Sequence, residues 1–188
     1  MEKFRAGSKH GENGPVSIKA LALIGMMGAG KTTVGARVAE ILRVPGFDLD
    51  HIIEATNGRE ISTIFKVDGE TAFRELEHES LVAVVDTVNP PYVLATGGGL
   101  PLYARNREIL RQHFWVVWLD APASLLFTRA LDLKRPLVQE GSSAFFSLKQ
   151  SRDSLYRQVA HKTVDVAHQS PEEMAHIIAT WWQEVASG

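Results

Sequence analysis

The stretch Gly25-Met26-Met27-Gly28-Ala29-Gly30-Lys31-Thr32 decides the fold of this chain. Its spacing matches G-x-x-x-x-G-K-[ST], the P-loop, whose backbone N–H groups surround phosphate oxygens at the N-terminus of a helix. The apolar run 20–24 before it predicts a buried strand, and apolar residues at helical spacing in 33–43 predict a helix after it. Because strand, glycine loop and helix follow one another, we predict a nucleoside triphosphate site. A glycine turn that carries Lys-Thr by chance is the alternative.

Composition restricts the class of nucleotide-binding protein. The 188 residues are enough for one domain with a substantial core, and 45% of them are hydrophobic and 22% charged. A net charge of −2 gives no footprint of a nucleic-acid partner or of an anionic membrane surface. The absence of cysteine excludes disulfides, thiol nucleophiles and cysteine zinc sites, and it fits a reducing cytoplasm. No apolar stretch approaches the ~20 residues of a membrane span.

We predict a flexible N-terminal extension, residues 1–17, and a single domain, residues 18–188. The extension lacks the continuous apolar segment of a secretory signal. In the domain, apolar runs alternate with helical patterns, which predicts an α/β fold with three layers (α/β/α) and a parallel sheet of about five strands. Strands are predicted at 20–24, 47–49, 92–95, 115–119 and 163–166. Helices are predicted at 33–43, 51–56, 61–65, 70–87, 102–112, 122–132, 144–159 and 171–186.

The last predicted helix has the clearest start signal. Ser170 and Glu173 fit the Ser-x-x-Glu capping box, and Pro171 suits the first helical position. Its apolar positions, which include Trp181 and Trp182, indicate core packing rather than a functional aromatic site.

Two aspartates, Asp48 and Asp50, accompany the end of the second predicted strand. Ligands of parallel sheets bind beyond the carboxyl ends of the strands, and alternation along a strand places both aspartates on the same side. Near ATP-bound Mg²⁺, one carboxylate would hold the metal or its water and the other would accept a proton from a substrate hydroxyl. Alternatively, Asp50 only caps the helix that begins at His51.

Three consecutive glycines, Gly97, Gly98 and Gly99, follow the predicted strand 92–95. Such a run allows close approach of the backbone and exposes N–H donors to a small substrate. We predict a substrate-contacting loop here, with an ordinary tight turn as the alternative.

Arg74 lies one turn into the predicted helix 70–87, four residues after Glu70. This spacing fits an ion pair on the helix surface. It equally fits a guanidinium fork that is presented to the carboxylate of a substrate. The sequence leaves both interpretations open.

Four basic residues come late in the chain: Arg129, Lys134, Arg135 and Arg152. Arg135-Pro136 predicts a turn, because the residue before proline is disfavoured in a helix. We predict a mobile lid at about 129–148, whose cations neutralise phosphate charge and exclude water. Each cation taken singly also fits a solvated surface charge.

These clusters, in this order, resemble the shikimate kinases, members of the nucleoside-monophosphate-kinase-like P-loop group. The resemblance covers the chain from about Leu21 to His168 and implies a substrate-binding region at about 48–80. The matching motifs are GMMGAGKTT at 25–33, FDLD at 47–50, IFKVDGETAFRELE at 64–77, ATGGG at 95–99, Arg135-Pro136, and RDSLYRQVA at 152–160.

The resemblance also implies the roles of individual residues. Those expected to bind ATP are Gly28, Ala29, Gly30, Lys31, Thr32, Thr33, Arg129 and Arg135. Those expected to bind the substrate are Asp50, Arg74, Gly97, Gly98, Gly99 and Arg152, with the two arginines on the substrate carboxylate. The expected metal site consists of Thr32, which binds Mg²⁺ directly, and Asp48, near its water shell. The expected catalytic residues are Lys31, Asp50 and Arg135, and Asp50 assists deprotonation of the attacking hydroxyl.

The implied activity is ATP-dependent phosphorylation of shikimate at its 3-hydroxyl, which gives shikimate 3-phosphate and ADP in aromatic amino-acid (chorismate) biosynthesis. Mg²⁺ is the expected cofactor, and we expect a cytoplasmic monomer that acts on small molecules. A related kinase, for example for gluconate or a nucleotide, is one alternative. A catalytically silent nucleotide-binding regulatory module is another, although the lysine, the hydroxyl, both aspartates and the lid arginine are all present.

The chain departs from the family pattern at two places. Arg129 and Arg135 are six residues apart, one fewer than is usual in the family. His168-Gln169 falls where many members place an adenine-contacting arginine. Both departures concern the lid and the adenine rather than the residues expected to bind the substrate.

Overall fold

A parallel sheet organises the fold, and its strand order is β2-β3-β1-β4-β5. The computed structural model describes residues 19–132 and 141–187. In these ranges the five strands are β1 (Ala20–Ile24), β2 (Gly46–Asp48), β3 (Val93–Ala95), β4 (Phe114–Asp120) and β5 (Lys162–Asp165). Every ladder is parallel, so the carboxyl ends of the strands lie along one edge.

The central strand, β1, explains the layered arrangement. It pairs with β3 on one side and with β4 on the other, and all five of its residues are buried. Successive side chains of a strand point to opposite faces, so burial of every residue requires cover on both faces. The buried strand that the continuous apolar run 20–24 predicts is therefore confirmed. The α/β class is confirmed as well.

Eight α-helices of the described residues surround the sheet. They are α1 (Lys31–Leu42), α2 (Leu49–Asn57), α3 (Ile61–Val67), α4 (Gly69–Thr87), α5 (Ala104–His113), α6 (Ala123–Asp132), α7 (Ser142–Val159) and α8 (Pro171–Ser187). A 3-10 turn at Leu100–Leu102 delays the start of α5 by two residues relative to the predicted 102. In the part of the chain that the structure describes, none of these helices has both the length and the apolar content of a membrane span.

The junction between β2 and α2 corrects one prediction. The predicted strand 47–49 ends instead at Asp48, and α2 already begins at Leu49. Asp48 is the N-cap of that helix: its Oδ1 accepts hydrogen bonds from the backbone N–H of Asp50 at 2.9 Å and of His51 at 3.4 Å. The argument that Asp48 and Asp50 share one strand face is therefore wrong, and so is the alternative in which Asp50 is the cap.

Helix α8 begins at the predicted residue, and one of its apolar side chains is exposed to solvent. The Ser170 Oγ accepts from the backbone N–H of Glu173 at 3.2 Å, and the Glu173 carboxylate accepts from the backbone N–H of Ser170 at 2.7 Å. Met174, Ile178 and Trp182 are buried, but Ile177 is 38% exposed. The capping box thus fixes the entry into a helix that packs against α1.

We predict that Ser170→Ala lowers the free energy of unfolding by about 1 kcal/mol, the usual cost of losing an N-cap side chain. Urea unfolding measures the change. Ser187→Ala, at the far end of the same helix, is the matched control, because the Ser187 hydroxyl donates only to the carbonyl oxygen of Gln183 within the helix. Equal effects of the two substitutions would contradict the capping role.

Candidate active site

The P-loop connects β1 to α1 at the carboxyl edge of the sheet. Gly25, Gly28 and Gly30 have φ angles of 141°, 81° and 86°, which residues with a Cβ rarely adopt. A Cβ at Gly28 would also collide with the carbonyl oxygen of Leu126 in α6. The glycines therefore allow the curled backbone that a phosphate-binding loop requires.

Lys31 is the first residue of α1, and Thr32 and Thr33 continue its first turn. The Lys31 Nζ donates to the carbonyl oxygens of Gly25 at 2.9 Å and of Met26 at 3.0 Å, so the ammonium lies across the loop. Ala29 is buried beneath it. The ammonium and the positive end of the helix dipole face the same small volume, which suits polyphosphate oxygens.

Thr32 and Asp48 lie side by side. The Thr32 hydroxyl donates to the Asp48 Oδ2 at 2.6 Å, while the other carboxylate oxygen caps α2. No cluster of three or more metal-ligating side chains occurs in 19–132 and 141–187. One hydroxyl and one carboxylate fit Mg²⁺, because this ion keeps several waters and takes its remaining oxygens from substrate phosphates.

Asp50, Gly97 and Glu77 meet beside the P-loop. Asp50 lies half-buried in the first turn of α2. A Cβ at Gly97 would lie 3.1 Å from the Asp50 Oδ1 and would collide with the Glu77 Oε1. Because the first glycine of the run has no side chain, two carboxylates from different helices can approach the same point beside it.

Arg74 is buried, with 5% of its surface exposed, so the surface-pair interpretation is wrong. Its Nη1 donates to the Glu77 Oε2 at 2.8 Å, and its Nη2 donates to the Glu70 Oε1 at 3.1 Å. Gly99 lies directly against the guanidinium, where a Cβ would collide with it. The ion pair with Glu70 exists, but the guanidinium lies at the glycine run rather than in solvent.

Glu77 and Arg74 have shifted pKa values because of this burial. Glu77 is fully buried, and loss of water raises its pKa more than the charge of Arg74 lowers it; Asp50 adds to the increase. Burial alone would lower the pKa of Arg74, but Glu77 and Glu70 raise it above its ordinary value. Arg74 therefore stays protonated, whereas Glu77 titrates above the range of an ordinary glutamate.

Arg152, on α7, lies at the junction of the glycine run and the P-loop. It is 3% exposed, and its Nη1 lies 3.8 Å from the Met26 Sδ. Its Nε makes no hydrogen bond within the described residues. Tyr156, one turn further along α7, donates its hydroxyl to the Gly98 carbonyl oxygen at 2.6 Å. Arg152 is thus a buried cation that faces the same site as Arg74.

One predicted residue, Arg129, lies apart from this group, and another, Arg135, is not among the described residues. Arg129, on α6, donates to the Val166 carbonyl oxygen at 3.2 Å, and a Cβ at Gly28 would lie 3.3 Å from the Arg129 Cβ. Arg135 and Lys134, with the rest of the lid segment 133–140, lie outside the described residues. His168 is exposed and pairs with Asp165 at 3.1 Å.

Sequence reasoning missed two residues that shape the site, Glu77 and Tyr156. Glu77 follows Arg74 by three positions and Tyr156 follows Arg152 by four, which places each on the same helix face as its arginine. That spacing was an available signal. The sequence does not show that both residues contact the glycine run, because that run belongs to another element.

Comparison with known proteins identifies the family. The shikimate kinase family model matches residues 27–183. The shikimate kinase of Nitrosomonas europaea is 45% identical over 153 residues, which cover 80% of this chain and 72% of that protein. The shikimate kinase of Thiobacillus denitrificans is 42% identical over 161 residues, which cover 84% of this chain and 87% of that protein.

Solved structures of known proteins also superimpose on this chain. The shikimate kinase from Acinetobacter baumannii, solved in complex with shikimate, superimposes with a TM-score of 0.84 at 38% identity and covers 90% of this chain and 95% of its own. A gluconokinase from Sinorhizobium meliloti reaches a TM-score of 0.55 at 19% identity, covers 91% of this chain and 95% of its own, and so shares only the fold. The chain belongs to the shikimate kinase family.

Proposed function

We propose that this chain carries out the reaction of its family with the residues described above: it transfers the γ-phosphoryl group of ATP to the 3-hydroxyl of shikimate, in aromatic amino-acid (chorismate) biosynthesis. One observation supports the proposal most strongly. Two buried arginines, Arg74 and Arg152, and one carboxylate, Asp50, converge on a glycine run that packs against the P-loop. Shikimate carries one carboxylate and three hydroxyls, so it matches a site with guanidinium forks at one end and an acceptor at the other.

On the nucleotide side, we assign the phosphates to Lys31 and to the backbone N–H groups of residues 28–33. The Lys31 ammonium exchanges the carbonyl oxygens of Gly25 and Met26 for phosphate oxygens when ATP binds. Arg129, beside Gly28, is assigned to the adenine side. Arg135 is assigned to the phosphates as a lid cation.

On the acceptor side, we assign the substrate carboxylate to Arg74 and Arg152. Glu77 and Glu70 fix the guanidinium against Gly99 through bonds from Nη1 at 2.8 Å and from Nη2 at 3.1 Å, and we assign the second N–H of each nitrogen to the substrate carboxylate. Gly97, Gly98 and Gly99 contact the substrate through the backbone. Asp50 binds the ring hydroxyls.

The chemical step requires positioning and charge stabilisation rather than covalent catalysis. The 3-oxygen attacks the γ-phosphorus in line with the departing ADP oxygen: one P–O bond forms, the other breaks, and the hydroxyl proton passes to Asp50. Lys31 and Arg135 neutralise the charge that develops on the transferring group and on ADP. No phosphoenzyme forms.

We assign Mg²⁺ to Thr32, through its hydroxyl oxygen, and to Asp48, through a water. The ion supplies positive charge to the phosphate oxygens. Asp48 also caps α2, so the same carboxylate fixes the helix that carries Asp50. All of these roles fall to residues of one chain, so we propose a monomer. We also propose that it acts in the cytoplasm on small molecules.

The test of the proposed function is ADP release with Mg-ATP and one acceptor at a time: shikimate, gluconate, a set of nucleoside monophosphates, or none. We expect turnover with shikimate only. Turnover with a different acceptor would retain the nucleotide site and reject the assignment of Arg74 and Arg152. ATP binding without turnover on any acceptor would instead favour a regulatory nucleotide-binding module.

We predict that Arg74→Lys raises the KM for shikimate about 10- to 100-fold, because losing a hydrogen bond to a charged group costs about 1.5–3 kcal/mol. Lysine keeps the charge beside Glu77 but lacks the planar fork, so the fold is retained. The KM for ATP should stay within about twofold of the parent value. Glu70→Gln is the matched control, because the Glu70 side chain is 64% exposed and its pair with Arg74 contributes little. Parallel losses for shikimate and ATP would indicate a folding defect instead.

The raised pKa of Glu77 predicts opposite pH trends for binding and for stability. Because the folded-state pKa lies above the unfolded one, protonation favours the fold, and the contribution of Glu77 to stability increases as pH falls through the folded pKa. Shikimate binding needs ionised Glu77 to orient Arg74, so the KM for shikimate should rise over the same interval. Steady-state kinetics and urea unfolding, run at the same pH values, measure both trends. Glu77→Gln should remove both, and identical pH profiles for the parent and Glu77→Gln would refute the role of Glu77.

A further inference from the structure

Lys149 lies at the centre of a charge cluster that the proposed reaction does not use. Its Nζ contacts the Asp153 Oδ2 at 2.7 Å and the Asp120 Oδ1 at 3.0 Å. It also lies 5.9 Å from the centre of the Trp118 ring. The residue is 8% exposed, so this lysine is buried in a way that lysines seldom are without a specific partner.

The ammonium joins two elements of the fold. Asp153 belongs to α7, like Lys149, but Asp120 is the last residue of β4, at the carboxyl edge of the sheet. Asp120 is itself fixed, because its Oδ1 also accepts from the backbone N–H of Ala121 at 2.9 Å. The bond from Lys149 to Asp120 therefore fastens α7 to the end of β4.

Lys149 precedes Arg152 by three residues on the same buried face of α7. Trp118 packs against Tyr156 at 5.7 Å between ring centres, and a Cβ at Gly25 would lie 3.5 Å from the Trp118 Cδ1. The cluster is thus continuous with both the P-loop and the helix turn that carries Arg152. A shift of α7 at Lys149 would move Arg152 directly.

The ammonium of Lys149 also compensates the charge of its two aspartate partners. Asp120 and Asp153 lie near a site that receives two anions, the phosphates of ATP and the carboxylate of the acceptor. Burial alone would lower the pKa of Lys149, but the two aspartates raise it above its ordinary value, so the ammonium stays charged and compensates them. Without the ammonium, two carboxylates in a partly buried position would oppose anion binding.

We infer that Lys149 is a positioning residue for the acceptor: by fastening α7 to the end of β4 and compensating Asp120 and Asp153, it holds Arg152 where the substrate carboxylate binds. The inference rests on the proposed function, because it assigns Arg152 to that carboxylate. Lys149 itself touches neither substrate.

The experiment compares shikimate and ATP kinetics of Lys149→Met, Lys149→Arg and Asp120→Asn with the parent chain. Lys149→Met should raise the KM for shikimate about tenfold, which corresponds to about 1.4 kcal/mol, with kcat and the KM for ATP within about threefold. Lys149→Arg should restore most of the affinity. Asp120→Asn, which keeps the pair with Asp153, should raise the KM for shikimate about threefold. It tests the inference independently if Lys149→Met fails to fold.

Lys162→Met is the matched control. Lys162 also lies over a tryptophan, 5.7 Å from the Trp181 ring, but at the first residue of β5, where its partner in β4 is Val117 rather than Asp120. Its loss should leave the KM for shikimate unchanged. An unchanged KM for shikimate in both Lys149→Met and Asp120→Asn would overturn the inference, as would a loss of kcat and of both affinities together. A parent chain that does not phosphorylate shikimate would overturn the proposed function first and this inference with it.

Discussion

The buried ion pair between Arg74 and Glu77 is the constraint around which the proposed acceptor end of the site is arranged. Removing two charges from water costs more free energy than burying apolar side chains of the same size, so stability alone does not account for the pair. The pair also restricts the sequence of a distant loop. Any side chain at position 97 would meet Glu77, and any side chain at position 99 would meet the guanidinium. The first and last glycines of the run are therefore a steric consequence of the charge pair in α4.

Asp48 has a comparable position between the two halves of the site. One of its oxygens receives the hydroxyl of Thr32, and the other receives two backbone N–H groups of α2. A single carboxylate thus sets the distance between the helix that follows the P-loop and the helix that carries Asp50. The early end of β2 makes this possible, because residues 50 and 51 then lie in the first turn of α2, where backbone N–H groups have no partner within the helix.

Much of the fold follows from local patterns. The glycine loop, the apolar strands and the capping box of α8 each depend on neighbours within a few residues, and all were predicted correctly. The end of β2 was predicted wrongly. Over only three residues, the alternating pattern of a strand looks the same as the pattern of a strand end followed by a capped helix. The burial of Arg74 was not predictable either. Glu70 is visible as a partner at four residues, but the glycines that cover the guanidinium come more than 20 residues later. The anchoring of Lys149 likewise depends on Asp120, in another element.

Met26 occupies a position of the P-loop motif at which any residue is allowed, yet its sulfur lies against the guanidinium of Arg152, 126 residues away. The motif is usually regarded as a phosphate cradle whose variable positions are interchangeable. Here one of them packs against the arginine that we propose binds the acceptor. A chain that exchanged its acceptor for a bulkier one would have to alter both positions, so evolutionary changes at residues 26 and 152 are expected to occur together rather than singly.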